Sequence, residues 1–188
     1  MMTSCSPGWI KYVEQFYPEF MDNLSSCKSP QQMMGAIIKS YFAEREGIDP
    51  KNICSVSVMP CTAKKFEAGR PEMGRDGISD IDAVLTTREL SRMIKIRGLT
   101  LADLDPEPND NPFGERSSAG KLFGVSGGVM EAAIRTAHYL LTGEELEDPK
   151  LQTLRGLHDR KEMKVEVAGK TLGVAVISGL ENAKKILE

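Results

Sequence analysis

Histidine is almost missing from this chain of 188 residues, which carries only His138 and His158, and no Cys-x-x-Cys pair occurs. A structural zinc site draws on closely spaced cysteine and histidine, so zinc is not expected. The four cysteines, Cys5, Cys27, Cys54 and Cys61, are too few and too scattered for the disulfide framework of a small secreted domain. Reduced thiols or metal ligation are expected instead, with Cys27 and Cys54 structural because neither has a cysteine or histidine partner at metal-site spacing. No apolar run approaches the roughly 20 residues of a membrane-spanning helix, and no basic segment followed by an apolar stretch opens the chain. The expected compartment is the cytoplasm, without a membrane partner. A strong charge of one sign is also lacking, and the formal net charge of -3 argues against a nucleic-acid partner. Internal repeats and low-complexity tracts are absent. What remains is 40% hydrophobic and 27% charged residues, the composition of an ordinary globular protein with one core.

The apolar periodicity divides the chain into helices and strands. Trp9, Val13, Phe16 and Phe20 recur at helical spacing, and Pro18 ends that helix near Tyr17. Ser29, Pro30 and Gln32 mark a second helix start, with Met33, Met34, Ile37, Ile38, Tyr41 and Phe42 expected as its buried face and Gly47 as its stop. Residues 53–58 alternate, placing Cys54, Val56 and Val58 on one face of a strand and Ser55 and Ser57 on the other. A second strand is expected over 81–85, then a helix to about Ile96 opened by a capping box of Thr86 and Glu89. Residues 101–118 read as a surface loop. A helix over 127–142 is expected to point Met130, Ile134, Ala137 and Leu141 inward and to stop at Gly143, with a hairpin over 163–177 and a helix over 180–187 following it. Alternating strands and helices give an α/β fold.

Three segments carry candidate chemistry. In 59–67, Cys61 follows the end of a strand and precedes Lys64, Lys65 and Glu67, and ammonium groups near a thiol favour the thiolate that ligates metal. The bland alternative is a free cysteine before a solvated, charged turn. Phe123 to Met130 places Gly124, Gly127 and Gly128 around a helix start, where backbone N–H groups attract anions and glycine permits close approach. The segment lacks the Gly-Lys-Ser/Thr ending of a phosphate-binding loop, and glycines for tight helix packing are the alternative. Cys5 stands just before a helix start, a setting for a nucleophile or proton carrier, or simply a thiol near a chain terminus.

Thr3-Ser4-Cys5-Ser6-Pro7-Gly8-Trp9, Met59 to Glu67 and Phe123 to Met130 together resemble the catalytic domain of the iron-only (FeFe) hydrogenases. The likeness extends to ordinary stretches such as Tyr17-Pro18-Glu19-Phe20, Lys28 to Gln32 and Asp80 to Val84. It implies an α/β fold with a mixed or mainly parallel sheet flanked by helices, corresponding to much of one lobe of that domain. The main lobe is expected over about residues 3–143, with a hairpin and terminal helix over about 150–188. That family interconverts protons and electrons with hydrogen at a 4Fe-4S cluster joined through a cysteine to a di-iron subcluster. The resemblance implies that Cys5 carries protons, that Cys61 ligates the cubane, and that Lys64 holds a cyanide ligand. It further implies that Ser29, Pro60 and Met59 line the di-iron pocket, that Phe123 and Gly124 form an apolar wall, and that Glu67 and Ser25 belong to a proton path.

The sequence also departs from that pattern. Ser6 stands where the family has a second cysteine, a cubane ligand, and the family's C-terminal cysteine motif lies beyond Glu188. Of four expected cubane ligands only Cys61 remains, and serine is a poor ligand for a soft metal. The expectation is therefore a partial hydrogenase domain that binds no complete cluster and is inactive alone. Its partners would be the missing lobe, the C-terminal segment and, in the intact enzyme, a ferredoxin-type electron carrier. A scaffold or binding protein that kept the fold is the alternative, followed by an iron-sulfur assembly homologue.

Overall fold

The computed structural model describes residues 1–115, 117–146, 151, 154 and 159–188; His158 lies outside the described residues. The chain divides into two compact units, Met1–Pro106 and Glu107–Glu188. The fold is α/β, as the alternation of elements predicts. Among the described residues, its strands form three two-stranded sheets, of which one is parallel and two are antiparallel.

In the first unit, helix α1 (Pro7–Phe16) starts at a proline, which suits the first helical position because its missing N–H would have no partner there, and it buries Val13. Helix α2 (Pro30–Ile37) starts at Ser29, whose side chain accepts the Gln32 N–H. It runs through a π turn, Ile38–Phe42, into α3 (Ala43–Glu46), and Gly47 ends it in the left-handed conformation at φ 64°. The expected inner face of α2 is not the one observed. Met33 (42%), Met34 (48%), Ile37 (42%) and Tyr41 (57%) are exposed, whereas Gln31, Gln32 and Gly35 are buried. Gly35 decides this orientation, because only a residue without a side chain lets the helix backbone lie against the Asp80 carbonyl.

Strand β1 (Val56–Met59) leads into α4 (Ala63–Ala68), and after it come a short hairpin, β2 (Gly74–Arg75) with β3 (Ile78–Ser79), then β4 (Ala83–Thr86) and α5 (Thr87–Ile96). The β2–β3 hairpin is too short to show as a periodicity. β1 and β4 pair in parallel, from Val56 opposite Ala83 to Met59 opposite Thr86. Their buried face holds Ser55, Ser57 and Val84, and the outer face leaves Val56 52% and Val58 41% exposed. Two ion pairs tie the α2 region to the approach to β4, Lys28 to Asp80 at 2.5 Å and Lys39 to Asp82 at 2.7 Å. Burial pushes the Asp82 carboxyl up, but the Lys39 ammonium and the Ser55 N–H together hold it below the usual carboxylate range.

The capping box of α5 is present in full: Thr86 Oγ1 accepts the Glu89 N–H at 3.1 Å and Glu89 accepts the Thr86 N–H at 2.7 Å. The hydrogen bond from Lys65, reinforced by the Thr86 N–H, lowers the Glu89 carboxyl from 4.5 to about 2. A carboxyl lowered by folding stabilises above its unfolded value and loses that contribution as pH falls through its folded value. The stability gap between the wild type and Glu89→Gln should therefore be full above pH 4.5 and close as pH falls towards about 2. Thermal melts of both proteins across that range check it, and a gap independent of pH would refute it. At neutral pH, Thr86→Ala should cost about 1 kcal/mol for the lost cap.

The second unit contains α6 (Ser118–Leu122), α7 (Gly128–Thr142), the antiparallel pair β5 (Arg160–Val167) and β6 (Lys170–Ile177), and α8 (Leu180–Leu187). Ile134, Leu151, Leu154, Val165 and Val167 form its core. Ala137 and Leu141 are not inward as expected; Leu141 is 70% exposed. Ile134 is buried as expected, together with Gly128, Glu131 and Ala132, and Glu131 can occupy that side because Arg135 lies 3.0 Å from its carboxylate. Among the described residues, no helix is long and apolar enough to cross a membrane.

Candidate functional site

The N-terminal segment that carries Cys5 has little structure of its own and is laced to its surroundings. Met2 N–H donates to Asn23 O at 2.7 Å, Ser25 N–H to Met2 O at 2.8 Å, Ser4 Oγ to Cys27 O at 2.8 Å and Trp9 Nε1 to Thr3 O at 3.2 Å. From the other side, the Lys64 ammonium donates to the Cys5 carbonyl at 2.7 Å. These bonds leave the Cys5 thiol half-buried, just before α1.

Lys64 belongs to the first turn of α4, and Glu67 lies one turn on, so the two side chains share a face of that helix. Glu67 is buried at 4% exposure, and three donors converge on its Oε2: Ser29 Oγ at 2.9 Å, Lys64 Nζ at 3.1 Å and Gln31 Nε2 at 3.3 Å. Gln31 Nε2 also donates to the Lys64 carbonyl at 3.3 Å, while its Oε1 accepts from Ser57 Oγ at 2.8 Å. A buried carboxylate without such partners would be costly; here hydroxyl, ammonium and amide supply them.

The structure therefore brings together Cys5, Ser29, Lys64 and Glu67. It adds Gln31 and Ser57, which the sequence motifs did not single out; the only sequence signal was that Ser55 and Ser57 share one strand face. Ser25 is half-buried and its hydroxyl accepts the Cys27 N–H at 3.2 Å, with no hydrogen bond to Cys5 or Glu67. Met59 is half-buried at the end of β1, and Pro60 and Cys61 are exposed in the turn before α4. Lys64 and Lys65 are helical rather than turn residues, Lys64 half-buried and Lys65 exposed. Their ammonium groups are committed to Glu67 and Glu89. Phe123, 44% exposed, and Gly124 lie in the second unit between α6 and α7, where Gly127 caps α7 at φ 81°. His138 is half-buried and accepts the Ala168 N–H at 3.4 Å. All four cysteines are free thiols, Cys27 and Cys54 among the exposed ones.

A cubane cluster is held by four cysteine thiolates. Among the described residues no three histidine, cysteine, aspartate or glutamate side chains are grouped to hold a metal ion. The donor set of these residues by itself does not fit a complete 4Fe-4S site.

Residues 1–188 match the family described as iron only hydrogenase large subunit, C-terminal domain. The chain is 50% identical over 188 residues to iron hydrogenase 1 of Clostridium pasteurianum, covering all of this chain and 33% of that protein. It is 36% identical over 195 residues to the cytosolic Fe-S cluster assembly factor narfl of Xenopus tropicalis, covering 41% of it. Its fold superposes on an apo FeFe-hydrogenase HydA1 variant from Chlamydomonas reinhardtii with a TM-score of 0.79 at 41% identity, covering 54% of that chain. The chain thus spans about a third of the first curated relative and about half of the solved one. Similarity over the whole chain, in sequence and in fold, leads to one conclusion: this chain belongs to the family formed by the C-terminal domains of iron-only hydrogenase large subunits.

Proposed function

We propose that this chain is a segment of an iron-only hydrogenase that seats a proton-carrying thiol, Cys5, against a buried carboxylate network, and that it turns over no hydrogen alone. The observation that carries this reading is the Lys64 ammonium, which bonds the Cys5 carbonyl at 2.7 Å and Glu67 at 3.1 Å. Cys61 supplies one cluster thiolate, and Met59, Pro60 and Ser29 line the pocket. The remaining ligands and the electron partner are supplied by other parts of a whole enzyme. Two further observations support the reading. Identity to the hydrogenase exceeds that to the assembly factor, 50% against 36%. The parallel β1–β4 sheet also has an apolar face open at Val56 and Val58, whereas parallel sheets are ordinarily covered on both faces.

Anaerobic iron-sulfide reconstitution of the 188-residue chain, with iron and acid-labile sulfide counted, is expected to give values near zero. About four of each per chain, the content of one cubane, would overturn the single-thiolate reading. The hydrogenase role is tested by grafting this chain in place of the matching segment of the Clostridium pasteurianum enzyme. With Ser6→Cys the chimera should evolve hydrogen, and with Ser6 retained it should not. A properly folded Ser6→Cys chimera without activity would favour the scaffold reading.

A further inference from the structure

We propose that Ser57 is a positioning residue that, acting through Gln31, holds the Lys64–Glu67 pair and thereby the segment carrying Cys5. The inference deepens the reading above, since it takes Cys5 and Glu67 as the working site. It starts from the symmetry of a carboxamide. The two ends of Gln31 have nearly the same shape and opposite polarity, so only its partners decide which end faces α4. Ser57 sits on the inner face of β1 at 9% exposure and donates its hydroxyl to Gln31 Oε1 at 2.8 Å. Its Nε2 faces α4, where it donates both to the Lys64 carbonyl and to Glu67 Oε2, each at 3.3 Å.

With the amide reversed, its oxygen would face two acceptors, the Lys64 carbonyl and the Glu67 carboxylate. Those two acceptors exclude that alternative, and Ser57 supplies the donor that the Oε1 then facing β1 requires. One hydroxyl on a strand thus anchors an amide on α2, the amide holds both ends of one turn of α4, and the lysine of that turn holds the Cys5 carbonyl at 2.7 Å. Every polar member between the strand and the carboxylate is buried, Gln31 at 4%, Glu67 at 4% and Ser29 at 1%, so water does not readily replace a missing bond.

The test uses the 188-residue chain and reads Cys5 itself. Alkylation by iodoacetamide is followed cysteine by cysteine by mass spectrometry, with exposed Cys54 as internal reference. Ser57→Ala should raise the Cys5-to-Cys54 rate ratio about fivefold, the factor that corresponds to about 1 kcal/mol for one lost buried hydrogen bond. Ser57→Thr keeps the hydroxyl and should restore the wild-type ratio. If Ser57→Ala fails to fold, Gln31→Met, which keeps volume but removes the amide, should give the same rise. An unchanged ratio in a folded variant, whatever happens to its melting temperature, would overturn the proposal, as would a Thr variant that behaves like Ala. Because alkylation needs neither cluster nor turnover, a negative result here with an active chimera would reject the role of Ser57 and leave the hydrogenase reading standing.

Discussion

Replacing Glu67 with alanine is expected to destabilise the first unit by about 3–5 kcal/mol, the range for breaking a buried ion pair by removing one partner. The size follows from what remains. Ser29 Oγ, Gln31 Nε2 and Lys64 Nζ all lose their shared acceptor, Oε2. The Lys64 side chain, only 12% exposed, retains the Cys5 carbonyl as acceptor but no counter-charge. Glu67→Gln should cost less, because one acceptor oxygen survives and the packing is unchanged. Urea unfolding measures both variants, with the shift in midpoint at constant slope giving the loss. A loss below about 1 kcal/mol for Glu67→Ala, the level of an exposed ion pair, would mean that Lys64 swings out to water and that the Cys5 segment is not held as described. The same experiment therefore bears on function, since the Cys5 carbonyl and the Glu67 carboxylate share one lysine.

The legible parts of the fold were those written in local chemistry. The Ser29 cap, the Pro7 and Pro30 helix starts, the Gly47 and Gly143 stops and the Thr86–Glu89 box each depend on residues within a few positions, and all are present in the structure. What periodicity could not reveal is which face turns inward. On α2 the apolar stripe of Met33, Met34, Ile37 and Tyr41 is the stronger sequence signal, yet two glutamines and a glycine are buried. The partners that reverse this preference, Ser57, Glu67 and Asp80, lie tens of positions along the chain. On β1 the serine face is likewise the buried one, and Ser57 meets Gln31 there, whereas the Gln32 amide and the Ser55 hydroxyl are buried without a hydrogen-bond partner among the described residues. The candidate site followed the same division. Cys5, Ser29, Lys64 and Glu67 stood in recognisable motifs, whereas Gln31 and Ser57 acquire their roles only when α2 is laid across β1. Buried polar side chains that satisfy one another look like surface residues in a sequence, because hydropathy records the side chain and not its partner.

Gly35→Ala separates these two levels, because local propensity and tertiary packing predict opposite signs. Alanine is the better helix former by about 1 kcal/mol, so propensity alone predicts that the substitution stabilises α2. Packing predicts otherwise. A Cβ at Gly35 would meet the Asp80 carbonyl oxygen at 2.5 Å, its carbon at 2.8 Å and Ile81 Cδ1 at 2.8 Å. Two of those atoms are backbone, in a stretch pinned by the Lys28–Asp80 and Lys39–Asp82 ion pairs, so the helix rather than the loop must move. Overpacking of this kind costs about 1–3 kcal/mol, and with helix propensity offsetting about 1 kcal/mol of it a net loss of up to about 2 kcal/mol is expected. Gly8→Ala provides the control. It lies in α1, and a Cβ there meets nothing within 4 Å, so propensity acts alone and the change should be neutral or stabilising. Displacing α2 would also draw Ser29 and Gln31 away from Glu67, so Gly35→Ala should raise Cys5 alkylation whereas Gly8→Ala should not. Melting curves and the alkylation ratio for the two variants check both halves. If Gly35→Ala were as stable as the wild type with Cys5 unchanged, the approach of α2 to Asp80 would not be what orients the glutamines towards β1.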